Sequence, residues 1–311
     1  MNRALPQNLP FLSAVCWQTD INSLTSEEML RRYERGWHYL GIMGELSAEE
    51  AAFVRQLSQR YGSWIVMNFQ LEQHRQILQV LSRLNASFLK DCGAYFGGGT
   101  FLSLKYDEYR LSKDIDFLCS AGQGYRAIRE QVFDRGYDAI FISFDGIELP
   151  REIQANQYGV RFPVVVGGVS IKFEIVMEGR IALDPPQEYD WLPVSCLSNA
   201  DCFAEKLMAS SDRWLDASVA SRDLIDLAIL RQTGEIPQSA IAKSENVYPV
   251  IEPLKRAIVN FQTQPNYRER CYKSLIVKSP VKIIDGIDLL AADFHLPATE
   301  RTFTEQQTAN F

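Results

Sequence analysis

The sequence predicts an α+β protein in which a helical N-terminal extension leads into a mixed core and then a helical C-terminal part. Three observations carry that prediction: helix-start signatures within the first fifty residues, a switch between about Tyr95 and Leu197 to short apolar runs separated by glycines and helices, and a return to helical periodicity from about Ser198. The corresponding units are residues 1–70, 71–197 and 198–311, the last ending in a tail, ATERTFTEQQTANF, expected to be loose.

In the extension, Thr25 with Glu28 and Ser47 with Glu50 form capping-box patterns, each ahead of an amphipathic stretch. Tyr33, Trp37 and Leu40 in the first stretch, and Phe53, Val54 and Leu57 in the second, fall at helical spacing and are expected to pack, with Gly62 as a stop. One further helix is expected from about Leu71 to Lys90, because Ile77, Leu81, Leu84 and Phe88 repeat along one face. In the core, DIDFL, DAIFIS, VRFPVVV and VSIKFEIV read as strands. The sharpest local feature is a hairpin joining the last two through Gly167 and Gly168, which can take the positive φ of a tight primed turn. Period-two alternation puts Ile171, Phe173 and Ile175 on one face of the second strand and Lys172, Glu174 and Val176 on the other. Beyond Ser198, FAEKLMASSDRW and SRDLIDLAILR read as helices, with Gly234 and Pro237 closing the second.

Composition narrows the class. At 311 residues the chain buries a core without staples, and its cysteines (Cys16, Cys92, Cys119, Cys196, Cys202 and Cys271) include no CxxC pair, so neither a disulfide framework nor a zinc site is expected. No run approaches the roughly 20 apolar residues of a bilayer span, and the N-terminal apolar stretch is too short for a signal peptide. The expectation is a soluble, cytoplasmic protein with no membrane partner. A formal net charge of −7 argues against coating nucleic acid through bulk electrostatics and is compatible with one local basic groove.

Chemistry concentrates at Gly97-Gly98-Gly99-Thr100, the segment FLSLKY and then SKDIDF, which places Asp114 and Asp116 on a strand. Residues i and i+2 of a strand share a face about 6.6 Å apart. Two carboxylates held that close raise each other's pKa unless a cation lies between them, and magnesium (or manganese) is the expected occupant because it takes hard oxygen ligands. Glycines let backbone N–H groups approach phosphate oxygens, and Thr100 opens a helix whose N-terminus favours anions. Both halves then address one ligand, a triphosphate sharing the metal.

The stretch GGGTFLSLKYDEYRLSKDIDF resembles the GG[ST] and DxD signature of the DNA polymerase beta-like nucleotidyltransferase superfamily. With Ser112 ahead of DID, and AEKLMASSDR and RDLIDLAIL downstream, it resembles more narrowly the AbiEii/AbiGii toxin-type nucleotidyltransferases, over roughly residues 71–232. The resemblance implies a small mixed β-sheet flanked by helices, with Gly98, Gly99 and Thr100 lining the phosphates, Ser112 among the nucleotide-binding residues, and Asp114 and Asp116 binding metal. Glu174 matches a third carboxylate, where many superfamily members carry aspartate. It also assigns Lys206 to the triphosphate. Arg213, seven residues on, shares a helical face with Lys206, and its planar fork suits bidentate phosphate contact. Asp223 is implied as part of the site, either orienting Lys206 or acting as general base, while Asp226 has a cap or an arginine as its competing partner.

The function this implies is transfer of a nucleoside monophosphate from a nucleoside triphosphate to an acceptor hydroxyl. Members of the family it resembles often serve as toxins of toxin–antitoxin or phage-defence systems, and some modify the acceptor end of tRNA. RNA is therefore the first acceptor to test, and a cognate antitoxin is the protein partner such systems imply. The rival readings are a small-molecule nucleotidyltransferase of the antibiotic-modifying kind and a non-catalytic nucleotide-binding protein. A DxD glycosyltransferase fits the glycine cradle and the lysine helix poorly.

Overall fold

A computed structural model describes residues 6, 8–40, 42–61, 63, 65 and 69–306. The extension forms α1 (Pro10–Val15), α2 (Ser26–Gly36) and α3 (Ala48–Tyr61). Thr25 and Glu28 close a full capping box on α2. At Ser47 only half the box forms: Ser47 Oγ accepts from the Glu50 amide at 3.0 Å, while the buried Glu50 carboxylate turns to the amides of Phe11 (3.0 Å) and Leu12 (2.7 Å) and the Tyr33 hydroxyl (2.9 Å). That carboxylate satisfies donors at the start of α1 and ties the three helices together. Tyr33, Val54 and Leu57 are buried, and Trp37, Leu40 and Phe53 pack on the core, although Trp37–Tyr39 tighten to a 3₁₀ turn. Gly62, the expected stop, lies outside the described residues.

The helix expected over 71–90 is two: α4 (Glu72–Leu81) and α5 (Ala86–Asp91). The break has a local cause, since Asn85 caps α5 by accepting from the Phe88 amide, and its own amide bonds the Ile140 carbonyl at 2.8 Å. Leu84 bridges Phe141 alone, so the segment DAIFIS is a 3₁₀ turn plus one bridge instead of the expected strand.

The core then runs β1 (Ala94–Gly97), α6 (Gly98–Lys105), β2 (Ile115–Cys119), α7 (Gly122–Arg135), β3 (Gln154–Ala155), β4 (Gly159–Val166) and β5 (Val169–Met177). They build one mixed sheet in the order β1-β2-β5-β4-β3, antiparallel except for the parallel β2–β5 pair. Gly167 and Gly168, at φ +54° and +79°, make the expected hairpin turn between β4 and β5. Ile171, Phe173 and Ile175 are fully buried, with Phe173 stacked on Phe162 at 4.6 Å. The opposite face carries Glu174, and the register sets it beside Asp116.

Six helices follow: α8 (Asn199–Arg213), α9 (Arg222–Arg231), α10 (Gln238–Glu245), α11 (Ile251–Thr263), α12 (Pro265–Ser274) and α13 (Pro280–Asp293). Buried apolar residues from Leu9 to Ala291 belong to one continuous cluster that spans all three segments. The tail departs from expectation as far as residue 306. Thr299 bonds Asp288 through its amide (2.8 Å) and hydroxyl (2.6 Å), and Glu305 is fully buried against Arg268 (2.7 Å) and Tyr272 (2.7 Å). The reason is Arg268, itself fully buried, which requires a carboxylate partner inside the fold. Residues 307–311 lie outside the described residues.

Candidate active site

Asp114 stands one residue ahead of β2 and Asp116 within it, beside the turn from β1 into α6. That turn needs glycine twice. Gly98 adopts φ +68°, and a Cβ there would lie 2.6 Å from Asp116 Oδ2; at Gly99 it would lie 2.2 Å from Arg110 Nη2. α6 begins at Gly98, two residues earlier than expected. A cleft of about 220 Å³ opens here, and Gly98, Gly99, Ser112, Asp114, Asp116, Lys206 and Arg213 all line it. Thr100 sits behind this wall, fully buried, and donates to Ser112 Oγ at 2.9 Å.

Burial pushes the Asp116 carboxyl up to about 6, with Asp114 and Glu174 adding to the shift. Lys206 and Lys172 oppose that shift without cancelling it, and the oxygen donors of the pair are of the kind that suit a hard divalent ion. Glu174 is differently placed. Its carboxylate is bonded by Lys172 and Arg161, which outweigh the effect of burial and hold its pKa down. Among the described residues no three His, Cys, Asp or Glu side chains gather into a metal shell. Of the three expected carboxylates, Asp114 and Asp116 line the cleft, and Glu174 lies beside Asp116 in ion pairs with Lys172 and Arg161.

Across the cleft, α8 presents Lys206 and Arg213 on one face, as their spacing predicts. Lys206 Nζ donates to Asp223 Oδ1 at 3.1 Å and lies 2.6 Å from Asp226 Oδ2, while Arg213 grips Asp223 through Nε (2.6 Å) and Nη2 (2.9 Å). Burial alone would raise the Asp223 pKa; Lys206 and Arg213 reverse this and hold it well below the carboxylate range. A carboxylate so held is a weak proton acceptor, so the geometry favours Asp223 as the group that orients Lys206. Asp226 pairs with an arginine distant in sequence: Arg110 reaches it through Nε (2.6 Å) and Nη2 (2.8 Å), and the Tyr109 hydroxyl donates at 2.6 Å.

The profile described as "Nucleotidyl transferase AbiEii toxin, Type IV TA system" matches residues 79–256, more than half the chain. The chain belongs to this AbiEii nucleotidyltransferase toxin family. It is a nucleotidyltransferase, and the match spans the glycine turn, the Asp114–Asp116 segment and the Lys206 and Asp223 helices. No match was found among curated proteins. Among solved structures it is similar to JHP933 from Helicobacter pylori (18% identity, TM-score 0.45, covering 72% of this chain and 93% of that one). It is also similar to MenT4, a nucleotidyltransferase toxin from Mycobacterium tuberculosis H37Rv (16% identity, TM-score 0.34, covering 68% and 70%).

Several residues of this AbiEii-family site are silent in the sequence. Arg110 is one, buried under Gly99. His74 of α4 is another, fully buried, with Nδ1 2.9 Å from Glu108 and Nε2 accepting from the Ser112 amide at 3.3 Å. That acceptor role fixes the proton on Nδ1 and clamps the backbone two residues ahead of Asp114. The same loop is tied to the C-terminal helices by Leu111 N to Leu275 O (2.7 Å) and Lys278 N to Tyr109 O (3.0 Å). Arg222 adds a further cation to a cleft wall that already holds Arg110, Arg180, Lys206 and Arg213. Arg110 and Arg222 fall inside the motif stretches but at positions that carry no chemistry read from the sequence, His74 lies outside them, and only the fold brings the three to the site.

Proposed function

We propose that this AbiEii-family enzyme transfers a nucleoside monophosphate from a divalent-metal-bound nucleoside triphosphate to an RNA hydroxyl, as the toxin of a pair with a cognate antitoxin. The observation that carries the reading is one cleft holding the Gly98–Gly99 backbone, the Asp114–Asp116 pair and the cations Lys206, Arg213 and Arg222. Asp114 and Asp116 would hold the metal, which supplies charge neutralisation between carboxylate and phosphate. Lys206, fixed by Asp223 and Asp226, offers a point charge to a non-bridging phosphate oxygen, and the Gly98 and Gly99 backbone approaches the phosphates without a side chain in the way.

RNA as acceptor is supported by a second cleft of about 660 Å³ that shares Asp114 with the first and is lined by Lys113, Arg151, Arg161 and Lys172 against Glu152. A basic channel ending at the acid pair suits a polyanionic acceptor and opposes a cationic aminoglycoside. The experiment is incubation of the purified chain with each radiolabelled nucleoside triphosphate and magnesium, with total RNA or aminoglycosides as acceptor. Label is expected in tRNA-sized product, lost on chelation and in Asp116→Ala. Transfer by a folded Asp116→Ala protein at the original rate would overturn the metal assignment, and label only on the aminoglycoside would overturn the acceptor.

A further inference from the structure

The nucleotide cleft has a second polar end that none of the transfer chemistry above uses. Along the face that carries Asp116 and Glu174, the next pair is Leu118 and Val176, and the chain leaving β5 then presents Glu178. At about 3.3 Å per residue, Glu178 lies roughly 13 Å along the sheet from Glu174. Between the two ends the wall is apolar: Leu118, Val176, Leu197 and Cys202. At the far end Arg180 holds Glu178 through Nη2 (2.6 Å) and Nε (3.1 Å), reaches Glu205 at 3.4 Å and lies 3.7 Å from Asp212. One guanidinium thus serves three carboxylates. Glu205 neighbours Lys206 on α8, but where Lys206 turns to α9, Glu205 turns to Arg180.

One atom at this end is left over. Glu205 Oε1 is buried and has no hydrogen-bond partner among the described residues. An orphaned buried oxygen costs stability until something pairs with it, and Glu205 is one of the residues that line a cleft already read as a nucleotide site. Resting on that reading, we propose that the Glu178–Arg180–Glu205 end receives the nucleoside, its ring against the apolar strip, and that Glu205 selects the base by hydrogen bonding to a base N–H. Sites built this way discriminate strongly, because a base without the matching group leaves a buried polar atom unpaired. Burial and then Glu178 push the Glu205 carboxyl up to about 8 against the opposing charges of Arg180 and Lys206.

The test is calorimetric binding of ATP, GTP, CTP, UTP and inorganic tripolyphosphate to the full chain, unaltered and as Glu205→Gln and Glu205→Leu. The unaltered chain is expected to prefer one base at least tenfold over the weakest. Glu205→Leu is expected to lose at least tenfold on the preferred triphosphate and flatten the ranking, with tripolyphosphate affinity within about twofold. Glu205→Gln, which keeps an accepting oxygen, should stay within about threefold. A measurement free of mutation guards against misfolding: methylating or removing the N–H donor of the preferred base should cost the unaltered chain at least tenfold. An unchanged ranking in Glu205→Leu, or no loss with the modified base, overturns the proposal while tripolyphosphate binding keeps the nucleotide site itself standing. If neither tripolyphosphate nor any nucleotide binds, both readings fall together.

Discussion

Lys206 sits between two buried aspartates, and each aspartate has an arginine of its own, Arg213 for Asp223 and Arg110 for Asp226. Such a chain, three cations sharing two carboxylates, depends on both carboxylates being charged. Replacing Asp223 by asparagine leaves two cations short of one carboxylate, so we expect stability to fall by about 3 kcal/mol. Released from its place, the lysine should also cost transfer on the order of 100-fold in kcat. Unchanged kcat and melting temperature in Asp223→Asn would refute the orienting role. Glu205 yields a prediction of a different kind. Its folded value of about 8 lies above the ordinary 4.5, so its contribution to stability is complete below about pH 4.5 and is lost as the pH rises through about 8. Glu205→Gln lacks that loss. Its melting temperature relative to the unaltered chain should therefore be more favourable at pH 8.5 than at pH 5, by roughly 2–4 °C for each kcal/mol involved. An offset equal at both pH values would mean that Glu205 ionises as freely folded as unfolded. The acids and cations of this network were legible because they sit in short motifs; Arg110 and His74 were not, because their meaning lies in bonds to residues 116 and 38 positions away.

The elements that carry these residues are held by packing that sequence periodicity does not announce. Gly286 of α13 lies so close to α9 that a Cβ there would meet the Ala228 carbonyl oxygen at 2.1 Å. α9 carries Asp223 and Asp226, so spacing at this crossing sets their height over the cleft. Gly286→Ala must push the helices apart, and we expect a loss of about 1–3 kcal/mol with a fall in transfer larger than a surface glycine such as Gly234 would give. Equal effects of Gly286→Ala and Gly234→Ala on activity would show that the crossing does not position the site. Where local signals are strong, as in the Thr25 box, the Gly167–Gly168 turn and the alternation of β5, the elements follow the sequence. They diverge where tertiary structure decides. Asn85 breaks a helix that apolar spacing alone would continue, and Phe141, paired only with Leu84, cannot extend a strand from one bridge.

At the scale of the whole molecule, charge is distributed against its total. The chain carries a formal −7, yet the cleft that meets the nucleotide site at Asp114 is lined by four cations. Two of them, Arg161 and Lys172, are partly neutralised by Glu174, whereas Lys113 and Arg151 have no carboxylate partner among the described residues. An acidic protein gains nothing from bulk attraction to RNA, so any association must run through this local field and must be salt-sensitive in proportion to the phosphates it neutralises. Reversing both of these charges, as Lys113→Glu with Arg151→Glu, should weaken binding of a single-stranded RNA by at least tenfold at low salt. It should also flatten the slope of log affinity against log salt by about 1.4, at roughly 0.7 for each phosphate no longer neutralised. Tripolyphosphate binding should be unaffected, because neither residue lines the nucleotide cleft. Filter binding across a salt series reads all of this directly: an unchanged slope would take RNA out of this groove, and a parallel loss of tripolyphosphate binding would mean that the two clefts act as a single field.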